Sequence, residues 1–295
     1  MISKEHALQT FLELVQIDSP SGEEGAIAAH LVERFTVLGG EARQDAHGNV
    51  LATFVGTGEP LLLSAHMDTV QPGRGIRPII DGERVHTDGS TILGSDPKAG
   101  VSAILEGIAT VRQSGTPHRA LQVIITRGEE LGLEGSRNLD YSLVTAKQGF
   151  VFDGEGPVSR ITSVAPSQYS IEATIVGRAA HAGAEPEKGI SAIRIAAELI
   201  SSLPQGRLDP ETTANVGMIE GGTARNAVPE RCWFKGEFRS RSRERLEEVR
   251  QEIEALTHES QARHPDARVD VQLINVYDGY VLSEDHPALG LARRA

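Results

Sequence analysis

The chain has 295 residues, 39% hydrophobic and 24% charged, the proportions of a folded globular protein with no disorder signature. Its net charge is −12 and no basic face stands out, which argues against a nucleic-acid partner. Cys232 is the only cysteine, so no intrachain disulfide framework exists and a reducing compartment is expected. No apolar stretch approaches the roughly 20 residues needed to span a bilayer. The N-terminus has no signal-peptide core either. The expectation is a cytoplasmic protein with no membrane partner.

In chain order, Leu8, Phe11, Leu12 and Val15 recur at helical spacing and predict an amphipathic first helix. Ser21 with Glu24 three residues later has the form of a capping box. It would open a second helix buried through Ile27, Leu31, Phe35 and Leu38 and stopped by Gly39-Gly40. Strands are predicted at 50–55 and 61–65, a hairpin near 79–87, and a helix from about Lys98 burying Val101, Ile104, Leu105 and Ile108. Two further strands, 121–126 and 150–152, complete a pattern that reads as an α/β sheet covered on both faces.

The pattern changes after about Val164. Tyr169, Ile171, Ala173 and Ile175 alternate as in a half-exposed strand, and Ile190, Ile193, Ala197 and Ile200 form a helical stripe. Strands near 215–219 and 232–238 follow. A second stripe of Leu246, Val249, Ile253 and Leu256 comes next, then alternation at Val269, Val271 and Leu273. The order β-α-β-β-α-β is that of a ferredoxin-like split unit. It predicts an inserted domain at 165–279 within an α/β domain formed by 1–164 and 280–295. An insert of this kind usually returns to a longer C-terminal half, so the chain reads as C-terminally truncated.

Metal-binding residue types follow the apolar runs of the first domain. Leu61 to Ala65 leads into His66-Met67-Asp68, Leu121 to Thr126 into Arg127-Gly128-Glu129-Glu130, and Phe150 to Phe152 into Asp153. Asp96-Pro97 stands just before the Lys98 helix. Open α/β sheets place ligands at the carboxyl ends of their strands, where one histidine and several carboxylates would suit a dinuclear metal site. Each residue has a plainer reading. His66 and Asp68 could be a hydrogen-bonded loop pair, Glu129 and Glu130 solvated first-turn acids, and Asp96 a helix cap. Their common placement at strand ends favours the metal site. There Asp68 would orient His66, and of Glu129 and Glu130 one would bind metal while the other takes a proton from water.

The chain resembles the dizinc metallopeptidases that include peptidase T, carboxypeptidase G and the aminoacylases, and most of all the peptidase T-like branch. The resemblance rests on Ser64-Ala65-His66-Met67-Asp68-Thr69-Val70, Gly94-Ser95-Asp96-Pro97-Lys98-Ala99-Gly100 and Glu129-Glu130-Leu131-Gly132-Leu133-Glu134-Gly135. Further on it rests on Gly177-Arg178-Ala179-Ala180-His181-Ala182-Gly183 and on 221–229, which contains Asn226. It implies that His66 and Asp153 hold one zinc, Glu130 the other, and Asp96 bridges both. Co2+ and Mn2+ are the alternative ions. Glu129 would be the general base and Asp68 the partner of His66. His181, Asn226 and Arg239 would contact a short peptide substrate or the transition state, with His181 reaching across a homodimer made through the inserted domain.

The sequence departs from the family pattern in two places. Pro97 stands where a polar or acidic residue is usual, and it makes a cis Asp96–Pro97 bond inexpensive. The family's last histidine ligand has no counterpart before Ala295, which leaves one zinc site incomplete. His286 reads as part of a helix start and is not assigned as that ligand. The function expected is aminopeptidase- or tripeptidase-like hydrolysis. N-acyl amino acid amidohydrolase or carboxypeptidase activity at the same site is the alternative, and an inactive dimerisation or metal-binding fragment is the reading outside the enzymes.

Overall fold

The computed structural model describes residues 3–154 and 156–294; the domain limits at 1 and 295 lie outside them. The chain divides into two compact units, residues 1–160 and 161–295. Residues 280–294 group with the second unit, where Tyr280–Val281 pairs with Val164–Ala165.

The first unit contains α1 (Lys4–Val15), α2 (Gly25–Val37), β1 (Glu41–Gln44), β2 (Val50–Phe54), β3 (Thr57–His66), β4 (Ile79–Asp81) and β5 (Arg84–His86). It continues with α3 (Ser95–Ser114), β6 (Arg119–Thr126), α4 (Glu134–Arg137) and β7 (Gln148–Val151). Its sheet has the order β1-β2-β6-β3-β7. Strands β6, β3 and β7 run parallel, while β1 and β2 are antiparallel additions. One face is sealed by the helices through Leu14, Ile27, Leu31, Phe35, Val101, Ile104, Leu105 and Ile108, packed against Val50, Phe54, Val123 and Ile125. Burying each such side chain is worth about 1.5–3 kcal/mol. A smaller cluster of Leu51, Ile124 and Leu139 covers part of the other face.

Three local expectations are corrected here. The most buried side chains of α1 are Thr10, Leu14 and Val15 rather than Leu8, Phe11 and Leu12. Thr10 faces α3, where its hydroxyl donates to the buried Glu106 (2.7 Å), so a polar contact sets the rotation of the helix. Ser21 and Glu24 do not form a capping box, because α2 starts without a side-chain cap and both side chains are engaged elsewhere. Strand β7 is not buried on both faces: it is an edge of this sheet and Val151 is 70% exposed.

The second unit contains β8 (Val164–Ala165), β9 (Ser167–Val176), β10 (Ala180–His181), α5 (Ala192–Ser202), β11 (Gly206–Asp209), β12 (Thr212–Gly221) and β13 (Ala227–Val228). It ends with β14 (Arg231–Ser240), α6 (Arg243–Arg263), β15 (Arg268–Tyr277), β16 (Tyr280–Val281) and α7 (Pro287–Ala292). The main sheet is β11-β12-β14-β9-β15, with every pairing antiparallel. Without the short β11 this is the predicted ferredoxin-like βαββαβ order. Ile171, Ala173 and Ile175 of β9 point into the core, as their alternation requires, while Glu172 on the other face pairs with Lys235 across the strands. Of the predicted stripe of α5, Ile190 and Ile200 pack against the core while Ile193 is 39% exposed; the helix buries Ala192, Ile195, Ala196 and Leu199 against the same core. Both sets have helical spacing. The Ser191 cap, which accepts from the Arg194 amide, starts the helix at a rotation that selects the second. Among the described residues no helix is long and apolar enough to cross a membrane.

Candidate metal centre

Three neighbouring parallel strands of the first unit end together, with His66 opposite Thr126 and Ser64 opposite Val151. His66 closes the middle strand β3. The Glu129–Glu130 turn follows β6 on one side and Asp153 follows β7 on the other. The fourth contributor, Asp96, lies in the first turn of α3, where Asp96 (ψ 111°) and Pro97 are not helical. The Asp96–Pro97 bond is cis, as expected, and the Asp96 carboxylate lies 3.0 Å from His66 Nε2. It is not a helix cap. Gly100 lets these pieces meet: a Cβ there would lie 2.0 Å from the Phe152 carbonyl oxygen, next to Asp153.

His66 is 3% exposed. Its Nδ1 contacts Asp68 (3.2 Å), and its Nε2 faces Asp96 (3.0 Å) and Asp153 (3.4 Å). Asp68 is fully buried and accepts from the Ser21 hydroxyl (2.7 Å) and the amides of Glu129 (2.9 Å) and Glu130 (3.2 Å). Donor atoms of His66, Asp96 and Asp153 lie within 4.8 Å of one another, as do those of His66, Glu129 and Glu130. All six residues expected at the centre are therefore gathered. In this geometry His66 belongs to both groups, and Glu129 joins Glu130 in the second.

The cluster gathers several carboxylates around one imidazole. Burial alone would lower the His66 pKa, but hydrogen bonds and charge from Asp153 and Asp68 outweigh it and hold the imidazole up at about 10. Burial also raises the Asp96, Glu129 and Glu130 carboxyls, and charge from neighbouring acids adds to the rise in each. Asp68 differs: burial opposes its charge, yet hydrogen bonds from His66, the Glu129 amide and Ser21 bring it down to about 2. It thus stays ionised and locks the ring through Nδ1, leaving Nε2 toward the other carboxylates. One imidazole with oxygen donors suits zinc or a similar divalent ion.

Sequence reasoning gave Ser21 and Glu24 only a helix-capping role and Asn49 none, yet all three hold the Asp68 and 127–130 segments from behind. Their signal was a polar residue at a position that folds into the interior. In the second unit, β10 and β13 pair His181 with Ala227, and the Asn226 carbonyl accepts from the Ala182 amide (2.9 Å), so His181 and Asn226 are neighbours. The amides of Gly183 (3.2 Å) and Ala184 (3.1 Å) donate to His181 Nδ1, which puts the proton of the neutral ring on the exposed Nε2. Arg239 lies on the main sheet and makes a two-pronged contact with Glu237, 2.9 Å at each prong.

Residues 49–156 match the family model described as Peptidase family M28, and residues 168–265 match the Peptidase dimerisation domain. The uncharacterized protein YqjE of Bacillus subtilis is 40% identical, over 100% of this chain and 82% of that protein. Among solved structures, a tripeptidase from Staphylococcus aureus is 35% identical with a TM-score of 0.91, over 100% of this chain and 81% of that one. Aminopeptidase PepT from Bacillus cereus is 38% identical with a TM-score of 0.87, over 99% and 81%. With this identity carried across the whole described fold, the chain belongs to the peptidase T-like metallopeptidases and is a peptide-bond hydrolase.

Proposed function

We propose that the chain is a zinc-dependent aminopeptidase or tripeptidase acting on short peptides, with Glu129 as general base. The observation that carries this is the meeting of His66, Asp96, Asp153, Glu129 and Glu130 at the ends of three parallel strands. His66 and Asp153 would hold one zinc, Glu130 a second, and Asp96 both. When bound, the metal supplies Lewis acidity, lowering the pKa of water and polarising a carbonyl.

The chain's own groups do the rest. Asp68 keeps His66 in one orientation. Glu129 removes a proton from water as its oxygen attacks the scissile carbonyl, and returns it to the amine as the C–N bond breaks. The raised pKa of Glu129, caused by burial and by its acidic neighbours, suits a group that must accept that proton. In the second unit the His181 Nε2 proton is available for a developing oxyanion. Asn226 and Arg239 would bind substrate, Arg239 through a carboxylate. We also propose that residues 165–279 are an insert that carries homodimerisation, in keeping with the dimerisation-domain match over 168–265, and that 280–295 return the chain to the catalytic domain although 280–294 group with the second unit.

The test is a pair of variants assayed for tripeptide cleavage and metal content. Glu129→Gln should retain its metal while turnover falls by roughly 10²-fold or more, the range for loss of a general base. Glu130→Gln should lose metal. The reverse pattern would exchange the two roles, and no tripeptide cleavage by zinc- or cobalt-loaded chain would leave the amidohydrolase or carboxypeptidase reading and the binding-module reading.

A further inference from the structure

The turn bearing Glu129 and Glu130 is fastened in an unusual way. Four successive amides, from Arg127 to Glu130, each donate to a side chain from elsewhere in the first unit. Arg127 N–H donates to Asn49 Oδ1 (3.2 Å) and Gly128 N–H to Glu24 Oε1 (3.1 Å). Glu129 N–H donates to Asp68 Oδ1 (2.9 Å) and Glu130 N–H to Asp68 Oδ2 (3.2 Å). Successive amides of a strand point to opposite sides. Here Gly128 adopts φ +55°, and such a left-handed step lets neighbouring amides converge on one anion-binding hollow. The hollow is filled by two carboxylates of the protein itself.

Asp68 has an evident duty at His66, and Asn49 also bonds the Gly135 carbonyl and Asp45. Glu24 has no other explanation. It is 4% exposed, its side chain makes no cap bond although it is the N-cap residue of α2, and that side chain also accepts from the Gly22 amide (2.8 Å). Its second oxygen lies 3.3 Å from Arg127 Nε. An ion pair with one partner buried and the other half-buried is weak ground for stability, since desolvation offsets its attraction. What this one does is grip the two residues that immediately precede the acidic pair, while three residues earlier Ser21 grips Asp68.

We propose that Glu24 is a positioning residue, fixing the backbone of 127–130 so that Glu129 and Glu130 point into the metal centre. The proposal rests on the reading of Glu129 as base. Misplacing a reacting group by about 1 Å costs up to roughly 10²-fold in rate, so the fastening is worth its buried charge.

The experiment compares Glu24→Ala, Glu24→Gln and Glu129→Gln in the full chain. In metal-free protein, hydrogen exchange of the 127–130 amides should be slow in wild type. It should accelerate in Glu24→Ala and be largely restored in Glu24→Gln, which keeps an acceptor oxygen. In zinc-loaded protein, kcat per bound metal should fall about 10- to 10²-fold in Glu24→Ala with KM nearly unchanged. Adding Glu24→Ala to Glu129→Gln should cause little further loss. Unchanged exchange at 127–130, unchanged kcat per bound metal beside a lowered Tm, or losses that multiply in the double variant would each overturn the proposal. If Glu24→Ala is too unstable to study, Glu24→Asp, which keeps the charge but withdraws the oxygens by one methylene, takes the same readouts. Full turnover by Glu129→Gln would sink the base assignment instead, and the positioning of the turn would then stand or fall on the exchange rates.

Discussion

The functional residues of the two units are held in opposite ways. In the first unit His66 and Asp68 are buried, the turn carrying Glu129 and Glu130 hangs from interior acceptors, and Phe152, just before Asp153, sits against Gly100 of α3. In the second unit His181 and Asn226 lie on an exposed two-stranded ribbon, and Arg239 is occupied by Glu237. The first arrangement is preorganised: one unit by itself gathers His66 with Asp96 and Asp153 and with Glu129 and Glu130. The second offers donors whose use depends on what arrives. Metal and base are therefore expected to respond to packing changes, and the substrate groups to respond almost only in kinetics.

The strongest test of this contrast is His181→Ala. Losing one donor to an oxyanion should reduce kcat by about 10²- to 10³-fold, while Tm and metal content stay as in the parent, because the ring is exposed. A lowered Tm would show that His181 belongs to the packed framework and would erase the distinction. Next in size is Asp68→Asn. Disturbing the carboxylate that orients a ligating histidine should weaken zinc binding by about 10- to 100-fold in a calorimetric titration. The same change bears on pH. Asp68 is depressed to about 2, so its contribution to stability is complete above its ordinary range near pH 4 and is lost as pH falls through 2. Chelator-treated Asp68→Asn should therefore lose less stability than wild type between pH 4 and 2, and equal acid sensitivity would contradict the depressed value.

A smaller effect is expected from Gly100→Ala. Its methyl would meet the Phe152 carbonyl at 2.0 Å, and overpacking of this kind costs about 1–3 kcal/mol. Because the displaced strand end carries Asp153, zinc affinity should fall along with thermal stability. Stability loss without any change in zinc affinity would separate Asp153 from the centre. The least disturbance is expected from Glu237→Gln, which frees the Arg239 fork. KM for peptides with a free carboxylate should drop by about 2- to 5-fold, on the scale of the net worth of one ordinary hydrogen bond, with Tm nearly constant. An unchanged KM for both carboxylate and amide peptides would remove Arg239 from the substrate residues.

Much of this was legible beforehand, for reasons tied to particular residues. His66, Glu129, Glu130 and Asp153 each follow an apolar run, and parallel strands must end near one another, so local patterning already implied their meeting. Asp96 was legible because proline after it makes a sharp redirection inexpensive. Helix rotation was not: in α5 the stripes at 190, 193, 197, 200 and at 192, 195, 196, 199 satisfy the same period, and the cap at Ser191 chose between them. Nor could the sequence reveal that β7 lies at a sheet edge, since an apolar run looks alike wherever it is placed in the strand order.

What the sequence by itself determined is the type and order of most elements and which side chains meet at the candidate metal centre, because both are written in short-range periodicity and residue chemistry. Only the tertiary structure decided what stands behind those side chains. Ser21 and Glu24 have the spacing of a capping box, a local motif that would engage them with their own helix. In the fold Asp68 and the Gly128 amide compete for the same groups, at separations of 47 and 104 residues, and win. Buried polar atoms must find partners, and which partners are within reach is a property of the packed chain.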